Sequence, residues 1–186
     1  MGRICIPDYE YKERIARAAK LVREKGLDVM VVSSTESDYA NARYFSGFWP
    51  LFERAGVAIA ANGDAALMVG PECIIFAKDV AKMDKIFCLR EFRESADPSY
   101  PELQASSFRD VFKAIGVTGE NLKIGLGSYV ECTLPIIEGF VEGASRVLVA
   151  GSTWPLEEEM LARYVAEHED VRLILVPHEI HATHMH

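Results

Sequence analysis

The sequence predicts a three-layer α/β domain on a mixed sheet of about six strands, with a Rossmann-like βαβ unit at its C-terminal end. Three observations carry this prediction. Short apolar runs rich in β-branched residues alternate with segments of helical periodicity along the chain. Asn62-Gly63-Asp64 stands between two such runs, the signature of an antiparallel hairpin, so the sheet is not purely parallel. From Arg146 onward the order is strand, helix, strand, with a crossover long enough for parallel pairing. The chain has 186 residues, 49% of them hydrophobic, which suffices for a sizeable core.

Each element has its own sequence signal. Tyr11, Ile15, Ala18 and Val22 recur at helical spacing ahead of Gly26, which predicts a helix over 9–25. Residues 27–32 (LDVMVV) read as a buried strand. Ser33-Ser34-Thr35 offer helix caps for a short helix over 36–43. Residues 56–61 and 65–69 form the hairpin, 72–82 a helix and 85–89 a strand. A helix near 104–115, a strand over 122–126 and a helix over 132–142 follow. The final unit is a strand at 147–150, a helix at 155–167 and a strand at 171–176 ended by Pro177. The domain boundary falls at 143/144, and the βαβ segment 144–186 is expected to extend the same sheet.

Composition excludes several function classes. The formal net charge is -8, which argues against nucleic-acid binding, since that needs a basic footprint. No apolar run approaches the length of a membrane span, and the N-terminus turns charged at Glu10-Tyr11-Lys12-Glu13-Arg14 with no signal-peptide core before it. Gly2 lacks the Ser or Thr at position 6 that myristoylation favours. Cys5, Cys73, Cys88 and Cys132 are scattered with no C-x-x-C pair, so they read as free thiols of a cytoplasmic protein. All five histidines, His168, His178, His181, His184 and His186, lie in the last nineteen residues. The first 167 residues therefore lack the usual general base and commonest metal ligand.

Residues 9–143 carry a set of features in a specific order. Gly26-Leu27-Asp28 enters the first strand, and Asn41-Ala42-Arg43-Tyr44-Phe45-Ser46-Gly47-Phe48 follows. Then come the Asn62-Gly63 hairpin, Pro71-Glu72 and Lys123-Ile124-Gly125-Leu126. Together these resemble the N-terminal domain of the creatinase/prolidase/aminopeptidase P family. The resemblance implies a non-catalytic domain that helps the enzyme dimerise and shapes the substrate pocket. Catalysis in that family belongs to a larger C-terminal domain, commonly with two metal ions, which this sequence does not contain. No cofactor is therefore expected in this chain, and the implied partners are a second copy and a metal-binding catalytic domain. From Arg146 the likeness changes. Val149-Ala150-Gly151-Ser152-Thr153-Trp154-Pro155, Glu157-Glu158-Glu159 and Leu175-Val176-Pro177-His178-Glu179-Ile180-His181 resemble a βαβ unit of GT-B glycosyltransferases of the 3-deoxy-manno-octulosonate transferase type. Two alternatives stay open on that ground: a chimeric or engineered α/β scaffold without biological activity, and a sugar-nucleotide-binding fragment.

Candidate site residues form three groups. Tyr44, Phe45, Phe48, Trp49 and Phe52 cluster around a glycine turn. Tyr44 and Phe45 read as core, whereas Phe48, Trp49 and Phe52 suit a pocket or interface as well as a core. The family resemblance implies that this region faces the partner's active site, with Arg43 or Arg54 meeting a substrate carboxylate. Gly151-Ser152-Thr153, between a strand and a helix, offer backbone amides to an anion, or simply cap the helix. His178, His181 and His184 share a face if helical and would hold a metal adventitiously, or form a solvated tail. His178-Glu179-Ile180-His181 is not H-E-x-x-H, so a zinc protease helix is excluded. The acidic Glu157–Glu159 run suits the first turn of a helix without a chemical role, and no carboxylate pair stands out for acid–base work.

Overall fold

The computed structural model describes residues 5–94, 104–127, 146–153, 155–167 and 171–177. The chain divides into two compact units, Met1–Gly139 and Phe140–His186.

In the first unit α1 (Asp8–Glu24) leads to β1 (Val29–Ser34), α2 (Ala40–Ser46), β2 (Ala55–Ala60) and β3 (Ala65–Val69). α3 (Ile74–Val80), β4 (Ile86–Cys88), a 3-10 turn (Arg90–Phe92), α4 (Phe108–Ala114) and β5 (Ile124–Leu126) follow. The five strands lie in the order β4-β3-β2-β1-β5. β2 is antiparallel to both β1 and β3, while β4 and β5 add parallel edges to β3 and β1. The sheet is mixed, as the hairpin signal requires.

β2 is buried along its whole length, so both sheet faces are covered. Val57, Ile59, Leu67 and Val69 face Ala18 and Ala19 of α1, Ala42 of α2 and Ala77 of α3 in one core cluster. Small alanines at the helix positions let three helices approach the sheet closely. The alternate residues Gly56, Ala58 and Ala60 belong to the other face. Phe92, Phe108 and Phe112 stack there in series, with ring centroids 6.0 Å apart at each step. Three layers result: α1, α2 and α3; the sheet; and α4.

The element ends have local causes. α1 stops at Gly26, which takes φ 64°. The Leu27 amide donates to the Val22 carbonyl and the Gly26 amide to Arg23, a Schellman closure. α2 begins four residues later than the caps suggest. Residues 35–38 instead close a turn in which Thr35 Oγ1 accepts from the Asp38 amide and the Thr35 amide donates to the Asp38 carbonyl. Ser34 does cap α2, but from the end of β1: its Oγ accepts from the buried Ala42 amide at 2.9 Å. α4 starts at Phe108 rather than near 104 because Ser107 and Asp110 form a reciprocal capping box. β5 is tied to the start of β1 by Asp28, whose Oδ2 accepts from the Lys123 amide at 2.7 Å. The helix expected over 132–142 lies outside the described residues.

In the second unit β6 (Arg146–Thr153), α5 (Pro155–Ala166) and β7 (Val171–Pro177) form the expected βαβ unit, with β6 parallel to β7. Among the described residues β6 and β7 bond to each other in a sheet of two, and the first unit's sheet has five strands, close to the six expected.

Candidate functional site

The candidate site is the segment from α2 through the loop into β2, residues 43–54. Gly47 ends α2 at φ 73°, and its amide donates to the Arg43 carbonyl at 2.9 Å. Ser46 is buried and serves the same corner: its Oγ donates to the Ala42 carbonyl and accepts from the Phe48 amide. The loop therefore leaves the helix along one fixed path.

The aromatic cluster divides in a way the sequence left open. Phe48 is fully buried and packs tilted against Phe76 of α3, so it is core and not pocket. Trp49 is half-buried, edge-on to Phe76 with centroids 5.7 Å apart. Leu51 and Phe52 are exposed, Phe52 to 40%. Tyr44, expected in the core, is 45% exposed. Its ring faces outward because α1 already covers the inner side: Arg14 lies over it at 4.4 Å and donates to the Tyr44 carbonyl, while Arg17 donates to the hydroxyl. Phe45 remains partly buried against the core.

Arg43 is exposed, and its guanidinium rests over the rings of Trp49 at 5.1 Å and Tyr39 at 5.7 Å. Stacking fixes the plane of the group and leaves the in-plane N–H edges for a carboxylate. Arg54 is half-buried, with its amide donating to the Phe92 carbonyl at 3.1 Å. Arg43, Trp49 and Tyr39 thus form one array, and Phe52 and Arg54 flank a different residue, Glu53.

Glu53 escaped the sequence reading. It is 2% exposed. Its Oε2 accepts from the backbone amides of Glu72 and Cys73, each at 3.0 Å, and thereby pins the chain entering α3. Residues 71–73 form a turn closed by the Cys73 amide on the Gly70 carbonyl, and α3 begins at Ile74 and not at 72. Gly70 makes room: a Cβ there would fall within 2.6 Å of the Glu53 carboxyl carbon and both oxygens. Burial pushes the Glu53 carboxyl above the usual carboxylate range, against the opposing pull of the Cys73 and Glu72 amides. The signal was an acidic residue between exposed aromatics and a fully apolar strand.

The remaining candidates are placed as follows. Gly151, Ser152 and Thr153 belong to the end of β6 instead of a free turn, with an irregular register between Gly151 and Thr153. His178, His181 and His184, with the other two histidines, lie outside the described residues, as does Cys132. Cys5, Cys73 and Cys88 are free thiols. Among the described residues no three His, Cys, Asp or Glu side chains converge to hold a metal ion, and no helix is long and apolar enough to cross a membrane.

A mixed five-stranded α/β domain with an aromatic, arginine-bearing corner after its second helix defines the class. The Creatinase/Prolidase N-terminal domain model matches residues 14–138, and the chain belongs to that family. A comparison with curated proteins returns no match. Among solved structures, the chain is similar to the creatinase/prolidase-like N-terminal domain of a protein described as a metallopeptidase from Corynebacterium diphtheriae. Identity is 15% and the TM-score 0.49, covering 91% of this chain and 98% of that one. It is also similar to the N-terminal domain of the cytoplasmic peptidase PepQ from Mycobacterium tuberculosis H37Rv, at 18% identity and TM-score 0.45, covering 90% and 92%. Against the prolidase from Pyrococcus horikoshii OT3 the values are 17% and 0.46, and the alignment covers 70% of this chain but only 29% of that enzyme.

Proposed function

We propose that the chain acts as the non-catalytic N-terminal domain of a creatinase/prolidase-type peptidase. In this reading it pairs with a second copy in the cytoplasm and lends residues 43–54 to the wall of a substrate pocket. The family match over residues 14–138 carries the reading. Supporting it locally, Arg43 is held flat on two aromatic rings, with exposed Phe52 in the same segment. Such a surface suits a peptide carboxylate beside an apolar side chain. Hydrolysis itself is assigned to a separate metal-binding domain.

The test has two arms. An Xaa-Pro dipeptide assay with Mn²⁺ is expected to give no turnover from this chain alone, and turnover would overturn the assignment. Light scattering is expected to give the mass of a dimer. A monomer at every concentration up to the limit of solubility would sink the pairing role.

A recombined reading is favoured by one observation: the family match ends at 138 and the compact unit at Gly139. Under it, the βαβ unit comes from a sugar-nucleotide-binding protein. Titration with a cytidine nucleotide tests this, and the absence of a calorimetric signal rejects it.

A further inference from the structure

The two oxygens of the buried Glu53 carboxyl are treated unequally. Oε2 accepts two backbone amides, while Oε1 is buried with no hydrogen-bond partner. A charged oxygen buried without a donor is costly, and an unsatisfied O–H in its place costs less. A proton on Oε1 leaves both amide bonds to Oε2 intact. Leu51 and Phe52, which precede Glu53, face solvent, so residues 51–54 add little apolar burial beyond that of Phe48 and Pro50.

We propose that Glu53 is a proton-linked latch of the aromatic loop. Neutral, it holds residues 51–54 against the entrance of α3. Ionised, it drives the loop to open until water reaches Oε1. The latch is a property of the loop and does not depend on what that loop contacts.

Burial sets this direction against several neighbours. From the α3 entrance, the Glu72 charge disfavours ionisation, whereas the Cys73 and Glu72 amides and the Cys73 thiol favour it. From β4, Cys88 stands near enough to feel its charge. Burial first, and the Glu53 charge after it, push both thiols up, so they stay neutral. Arg54 follows in the chain, and Arg90 and Glu91 lie on the turn whose Phe92 carbonyl accepts from Arg54. Because the folded value is raised, the latch stabilises the fold below the ordinary carboxylate range. That stability is lost as pH rises through the folded value.

The experiment is a carboxyl-carbon NMR titration of the wild-type chain from about pH 4 to 8, with amide exchange at Glu72 and Cys73 followed over the same range. Glu53 is expected to titrate above the ordinary carboxylate range. Exchange, corrected for ordinary base catalysis, is expected to rise by up to about tenfold per pH unit and to level off past the Glu53 midpoint. Glu53→Gln keeps an acceptor for both amides and is expected to hold them at the low-pH protection throughout. If Glu53 titrates within the ordinary carboxylate range, or Glu53→Gln shows the same rise, the latch is wrong. Should that variant not fold, the wild-type chain decides alone: a rise whose midpoint differs from that of Glu53 overturns the proposal.

Discussion

Gly70→Ala probes the tightest steric relation around the loop. Gly70 does not have a positive φ, so alanine meets no backbone strain there. In the unfolded chain alanine is stiffer than glycine, which by itself would stabilise the fold by about 0.4–1 kcal/mol. Sterics oppose this. The new Cβ would sit within 2.6 Å of three atoms of the buried Glu53 carboxyl, so that group must move. Moving the carboxyl breaks its bonds to the Glu72 and Cys73 amides. A buried amide left without its acceptor costs roughly 1–3 kcal/mol, part of which is recovered where water reaches it. The clash wins, and a net loss of about 2–3 kcal/mol is expected. Urea unfolding followed by Trp49 fluorescence, in a Trp154→Phe background, is expected to show the midpoint fall by about 1–2 M. In a Glu53→Ala background the same Gly70→Ala change is expected to cost nothing. A Gly70→Ala single variant within about 0.5 kcal/mol of its parent would refute the reasoning.

Four further outcomes are expected. Ser34→Ala removes the acceptor of the buried Ala42 amide and is expected to cost about 1–2 kcal/mol by denaturant unfolding. Ser107→Ala opens the α4 capping box and is expected to cost about 1 kcal/mol. The Ser107 amide and hydroxyl hold the Asp110 carboxyl below its usual value, so its contribution is present above the ordinary carboxylate range. It is lost as pH falls through the folded value, and Asp110→Asn is expected to flatten that acid limb of the stability curve. Arg43→Ala removes the stacking on Trp49 and Tyr39 at an exposed position and is expected to change stability by less than about 1 kcal/mol. Trp49 emission is expected to shift in the same variant, and an unchanged spectrum would show that the guanidinium does not rest on the ring.

Periodicity made most of the first unit legible. The α1 face, the hairpin around Asn62-Gly63 and the short parallel strand at Ile124 all follow from local pattern, and each is present. Boundaries moved where a side chain from elsewhere takes over a backbone group. Ser34 caps α2 from β1, and Glu53 accepts from the amides of the turn that leads into α3. Such partners lie 8 and 20 residues away, beyond the reach of a sliding pattern. The aromatic cluster was legible as a group but not in its division. Phe48 and Phe52 are the same residue type four positions apart, and only the path set by Gly47 sends one to the core and the other to solvent. Glu53 was overlooked because hydrophobicity says nothing about a carboxylate that finds two amides and a vacant glycine.

The pairing of β1 with both β2 and β5 has a consequence for how the chain is made. β2 returns to β1 within thirty residues, but the Lys123 amide that binds Asp28 arrives 95 positions later. Closing so long a loop is slow compared with forming the hairpin. During synthesis, therefore, the outer edge of β1 stays unsatisfied until Leu126 has left the ribosome, and nascent chains halted short of Ile124 expose a row of backbone donors and acceptors that invites association.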